Sequence, residues 1–176
     1  MNIDYRKIEL LVLDVDGVLT AGGLTFCGQG GECKTFHVRD GSGLKYWKRA
    51  GHKFAVISGR QSPCTTQWAG EYEPDAIEQG AKNKLPAYER ILAELGFRDD
   101  QTAVVGDDLP DLPLLHRCGL AVAVADAVPQ VKHAAGLIAP LAGGAGAVRW
   151  VIETILAKAG KWDQIMSRYT PSGENR

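Results

Sequence analysis

Short, nearly continuous apolar runs recur along the chain: Ile8 to Leu13, Phe54 to Ile57, Thr102 to Val105 and Leu120 to Val124, with a weaker one at Gly136 to Ile138. Runs of this length without polar alternation predict strands buried on both faces, as in a parallel sheet under helices. Helical periodicity fills the intervals. Leu85, Tyr88, Leu92 and Leu95 advance by three, four and three along one face that stops at Gly96. Val148, Val151, Ile152, Ile155 and Leu156 do the same and stop near Gly160. Gly43 to Ala50, Pro63 to Ala69 and Leu109 to Arg117 are shorter helical candidates. Alternation of the two patterns predicts an α/β doubly wound (Rossmann-like) parallel sheet with helices on both faces. One segment breaks it. Residues 24–38 hold two β-rich runs around the turn "GQGG", which predicts a β-hairpin protruding after the first strand. No repeat or linker interrupts residues 1–169, so one domain is expected there, with a polar, mobile tail over 170–176.

Composition narrows the picture. The 176 residues are 45% hydrophobic and 23% charged, the make-up of an ordinary globular domain with a real core. A formal charge of -1 gives no general attraction to nucleic acid or to anionic membrane. The apolar stretches are short of a membrane span, and the first ten residues carry no signal-peptide pattern, so a cytoplasmic protein is expected. Cys27, Cys33, Cys64 and Cys118 form no C-x-x-C pair. They are expected as free thiols filling small spaces, although Cys27 and Cys33 could face each other across the hairpin.

Polar clusters follow the strands. Asp14-Val15-Asp16-Gly17, Ser58-Gly59-Arg60 and Gly106-Asp107-Asp108 with Asp111 each sit just past an apolar run, and Lys84 opens the Leu85 helix. Parallel strands bring such ends to one edge of the sheet, where ligands of open α/β folds bind. Five carboxylates then meet one lysine and one arginine, and like charges at close range are unfavourable. A divalent cation resolves the conflict, and an all-oxygen donor set without His or Cys favours Mg2+, with Asp14 and Asp107 as its carboxylate ligands. The same groups suit phosphoryl transfer. Asp14 is the candidate nucleophile, and Asp16 the proton donor to the leaving oxygen and later the base for water. Gly17 permits a sharp turn whose amides face the phosphate, Ser58 and Lys84 complete the cradle, and Asp108 and Asp111 orient the metal, its waters or Lys84.

"DVDGV", "ISGR", a lysine at the head of a helix and "GDDLPD", in this order, resemble the four motifs of the haloacid dehalogenase superfamily of phosphatases. The resemblance implies an aspartyl-phosphate intermediate on Asp14, Asp16 among the metal positions beside Asp14 and Asp107, and Gly17, Gly59 and Arg60 near the substrate. The segments after the first and second motifs are too short to fold as a cap domain. "DGVLT", "GECKTFHVRDGSGL", "QGAKNK", "AVAVADAVPQV" and "GGAGAVRWV" are similar to the capless branch of 3-deoxy-D-manno-octulosonate 8-phosphate phosphatases. That resemblance covers Ile8 to about Ile165. It implies a sugar-acid phosphate substrate in lipopolysaccharide precursor synthesis, and a homotetramer whose hairpins assemble and whose neighbouring subunits complete each site. Three positions depart from the branch: Ala21 stands for an expected Asp, and Trp68 and Ala145 for expected arginines. Arginine pairs bidentately with a carboxylate, so losing two keeps sialic-acid-type 9-phosphates open as substrates. A non-catalytic regulatory module, of the kind linked to cytidylyltransferases, is the competing class.

Other conspicuous residues read as structural. Asp40 is expected to cap the helix that opens at Gly41 to Gly43. His37, His52, His116 and His133 lack the spacing of a metal pair, and Trp47, Trp68, Trp150 and Trp162 suit core or interface packing.

Overall fold

The computed structural model describes residues 3–170, with only the backbone of Gln29. Its centre is the strand β1, Leu10–Leu13, in which all four side chains are buried. A strand with no exposed face must be covered on both sides, and this one is the hub of a six-stranded sheet ordered β5-β4-β1-β6-β7-β8. The partners are β4 (Lys53–Ile57), β5 (Ala76–Glu78), β6 (Thr102–Gly106), β7 (Leu120–Ala123) and β8 (Leu137–Ile138), and every ladder is parallel. Helices cover both faces of the sheet. They are α1 (Val38–Arg49), α2 (Pro63–Tyr72), α3 (Lys84–Leu95), α4 (Leu112–Leu115), α5 (Pro129–Ala134), α6 (Ala147–Lys158) and α7 (Trp162–Met166). α1 packs on α6, and α3 on α4. Among the described residues there is no separate cap domain, and no helix long and apolar enough to cross a membrane.

The order of the strands places the chemistry. From β1 the chain moves outward through β4 to β5, then returns by α3 to β6 on the other side of β1. The reversal opens a crevice at the carboxyl ends of β1 and β6. The register pairs Leu13 with Val105, and the Asp14 N–H donates to the Val105 carbonyl at 3.2 Å, so Asp14 and Asp107 emerge side by side.

Several boundaries differ from the sequence expectation. The hairpin is shorter than residues 24–38: β2 is Thr25–Cys27, β3 is Gly31–Cys33, and Val38 already belongs to α1. Phe36 and Val38 suggested a strand, but His37 caps the helix by accepting the Arg39 N–H. The helix expected over Leu109 to Arg117 splits into a 3-10 turn, Leu109–Asp111, and the four-residue α4. Pro110 and Pro113 lack the N–H groups that a continuous helix needs. Cys27 and Cys33 do not fill small spaces: both are exposed free thiols, with their sulfurs 3.3 Å apart. Asp40 caps a different helix from the one expected, accepting the Arg149 N–H of α6 at 2.7 Å. His52 is buried beside Trp47, and burial followed by the Lys161 charge holds its pKa down at about 4. The four tryptophans pack in or against the core. Of the expected tail, all but Thr170 lies outside the described residues.

Candidate active site

The loop after β1 is built around one glycine. Gly17 has φ +103°, and a Cβ there would lie 2.1 Å from Asp107 Oδ2. Only glycine lets the two loops approach so closely. "GGAG" turns out to be the wall behind this turn. The Gly144 N–H donates to the Val18 carbonyl at 2.9 Å, and a Cβ on Gly143 would meet the Gly17 carbonyl.

Lys84, the first residue of α3, projects a buried ammonium between two carboxylates. Its Nζ lies 2.6 Å from Asp14 Oδ1 and 2.6 Å from Asp111 Oδ1. Burial alone pushes a lysine towards neutrality, but Asp14 and Asp111 outweigh it and raise the Lys84 pKa. Asp111 Oδ2 also accepts the N–H groups of Asp107 and Asp108, at 3.1 and 3.4 Å, so this carboxylate fixes both the loop and the lysine. Asp108 caps the 3-10 turn by accepting the Leu109 N–H at 2.8 Å, and it lines the cleft without touching Lys84. Ser58 is buried, and its hydroxyl oxygen accepts the Arg60 N–H at 3.1 Å while its proton remains available to donate.

Asp14, Asp16, Gly59, Arg60, Lys84, Asp107, Asp108 and Asp111 line one cleft of about 350 Å³, with Lys82 and Pro110. All the candidates except Ser58 and Gly17 are therefore cleft walls, and those two sit in the turns behind them. The carboxylate chemistry calls for a cation. Oxygens of Asp14, Asp107 and Asp111 fall within 4.8 Å of one another, and Asp107 Oδ1 is buried with no hydrogen-bond partner. Burial, followed by the charges of Asp14 and Asp111, pushes the Asp107 carboxyl up to about 8. Burial raises Asp14 to about 6 against the pull of Lys84. A hard divalent ion would satisfy the orphaned oxygen and return both groups to the ionised form.

Two side chains absent from the sequence reading complete the site, and both come from the hairpin. Lys34 Nζ lies 2.6 Å from Asp16 Oδ1, and its side chain is 0% exposed. Glu32 Oε2 accepts Arg60 Nη2 at 3.1 Å, so Arg60 is engaged by the hairpin. Only the alternation along β3 and the residue that follows it hinted at them, since a period of two sends Glu32 and Lys34 to the same side.

The comparisons agree with this geometry. Residues 65–151 match the family model of haloacid dehalogenase-like hydrolases. The chain is 40% identical over 159 residues to the 3-deoxy-D-manno-octulosonate 8-phosphate phosphatase of Escherichia coli, covering 90% of this chain and 85% of that protein. The 3-deoxy-D-manno-octulosonate 8-phosphate phosphatase of Moraxella catarrhalis, solved with magnesium, phosphate and KDO, superposes with a TM-score of 0.91 at 34% identity over 94% of this chain and 95% of that one. The cobalt-bound enzyme of Haemophilus influenzae gives 0.87 at 38% identity, over 90% and 92% of the two chains. With four motif clusters converging at the switch point, and with relatives aligned over nearly the whole length, the chain belongs to the haloacid dehalogenase-like hydrolases.

Proposed function

We propose that the protein is a Mg2+-dependent phosphomonoesterase that hydrolyses 3-deoxy-D-manno-octulosonate 8-phosphate to the sugar acid and phosphate. The observation that carries this is the triad of Asp14, Lys84 and Asp107 at the crevice, with a carboxylate nucleophile beside a buried ammonium and an orphaned carboxylate oxygen. The sugar comes from the relatives named above.

Asp14 attacks the phosphorus, forming the Asp14 Oδ–P bond while the bond from phosphorus to the sugar oxygen breaks. Asp16 gives its proton to that departing oxygen. A water then attacks the phosphorus and yields its proton to Asp16, the Asp14–P bond breaks, and phosphate leaves. Lys84 neutralises charge on the transferred group, with the Ser58 hydroxyl and the amides of the Gly17 turn as further donors. Asp14 and Asp107 would hold the magnesium ion, while the Asp16 side chain, outside the cluster of Asp14, Asp107 and Asp111, is left to proton transfer, and Asp111 fixes Lys84 and the loop that bears Asp107. The ion supplies positive charge for the phosphate oxygens.

Residues 1–169 act as one domain, and the exposed hairpin belongs to a homotetramer in which neighbours close the open cleft. Four free thiols suit a reducing, cytoplasmic setting. The test is steady-state kinetics on the eight-carbon ulosonate 8-phosphate and on nine-carbon sialic-acid-type 9-phosphates, with and without magnesium. Asp14→Asn is expected to lower kcat by about 10³-fold or more, since it removes the nucleophile. A preference for the nine-carbon substrate moves the assignment within the branch. No metal-dependent turnover on either, or on para-nitrophenyl phosphate, favours the regulatory module.

A further inference from the structure

The hairpin touches the rest of the molecule in an unusual way. All three residues of β2 are exposed, as are Cys33 and Thr35. The inward side chains are Glu32 and Lys34, and each meets a cleft residue of opposite charge, Arg60 and Asp16 respectively. A one-residue slip would replace them with Cys33 and Thr35, so the two pairs also fix the register in which the hairpin lies against the site. Lys34 is the more buried cation, with its side chain wholly enclosed while Asp16 remains 19% exposed towards the cleft.

We infer that Lys34 is a positioning residue that acts through Asp16, aiming its carboxyl group at the oxygen that leaves. The inference rests on the phosphomonoesterase reading above. Lys34 holds Oδ1, the one side-chain hydrogen bond to that carboxylate among the described residues, and this leaves Oδ2 without a side-chain partner in a residue that lines the cleft. A proton donor works only within hydrogen-bond reach of its acceptor, and a carboxylate turning freely about two torsions is seldom there. The 2.6 Å contact, from a buried ammonium 18 residues away, removes that freedom. Lys34 neither accepts the proton nor touches the phosphorus.

The leaving group separates this role from a merely structural one. para-Nitrophenolate departs without help, whereas a sugar alkoxide needs the proton from Asp16. The parameter to measure is kcat/KM, which reports the steps through aspartyl-phosphate formation. Wild type, K34M and K34R are compared on para-nitrophenyl phosphate and on 3-deoxy-D-manno-octulosonate 8-phosphate, with thermal melts of each. K34M is expected to lose roughly 100-fold on the sugar phosphate and under about 5-fold on the aryl phosphate, the margin of a misplaced general acid. K34R, which keeps a cation at that position, should recover most of the difference. If K34M fails to melt cooperatively, K34Q takes its place and the same ratio decides. Equal losses on both substrates, or none on the sugar phosphate, overturn the inference. A wild-type protein inactive on both overturns the phosphatase reading instead.

Discussion

Asp107 carries a buried oxygen with no hydrogen-bond partner, and burial with the charges of Asp14 and Asp111 pushes its carboxyl up to about 8. An unfolded aspartate titrates near 3.8, so between there and about 8 the metal-free fold binds a proton that the unfolded chain does not. Stability from this group is therefore present at low pH and is lost as pH rises through the folded value. Magnesium reverses the balance, because it binds the ionised carboxylates and displaces that proton. Magnesium affinity should accordingly climb from pH 6 to about 8 and then level, with a proton released on binding below the plateau. Calorimetric titration in buffers of different ionisation enthalpy reads both quantities. An affinity independent of pH would mean that Asp107 is not among the ligands. Asp107→Asn should remove the pH dependence and most of the affinity together.

At the scale of elements, Asp40 shows how a local reading finds a residue's role and misses its partner. It lies in the first turn of α1, where an aspartate is a good candidate to cap its own helix. Its carboxylate instead accepts the Arg149 N–H, from 109 residues away, and serves the first turn of α6. Burial raises its pKa, so an uncharged acceptor should be tolerated. Asp40→Ala is expected to cost about 1–2 kcal/mol and Asp40→Asn much less, both read from urea unfolding. Equal losses would place the effect in packing. The same division runs through the site. Asp14, Ser58 and Asp107 were legible because a parallel sheet collects the ends of its strands at one edge, so position after an apolar run is already position in space, whereas Lys84, at the head of α3, was picked out by its likeness to the family's motif rather than by spacing. Lys34 and Glu32 were not, because their partners depend on how a hairpin folds back over a crevice that local pattern does not encode. α5 and α7 escaped notice since six- and five-residue helices are too short for periodicity to register.

At the scale of the whole molecule, the hairpin stands out as unfinished. It forms a two-stranded sheet of its own, and such ribbons are marginal without further packing. Phe26 is 74% exposed at its centre, and it holds to its own chain mainly through Lys34 and Glu32. Burying a phenylalanine against copies of itself would contribute about 1.5–3 kcal/mol per chain. Around a closed symmetry axis each copy supplies and receives the same contact. Closure alone sets no copy number; the resemblance to the capless branch implies four, so the expected solution mass is that of four chains, measured by light scattering on the eluting peak. Phe26→Asp should lower it, since four carboxylates meeting at one interface repel. The dissociated chain keeps Asp14, Lys84 and Asp107 intact, so its kcat/KM on para-nitrophenyl phosphate should change little. On the sugar phosphate it should fall, because neighbours no longer wall the cleft. A wild-type monomer with full activity on the sugar phosphate would contradict the tetramer and assign every wall of the cleft to a single chain, leaving the chemistry at Asp14 where it stands.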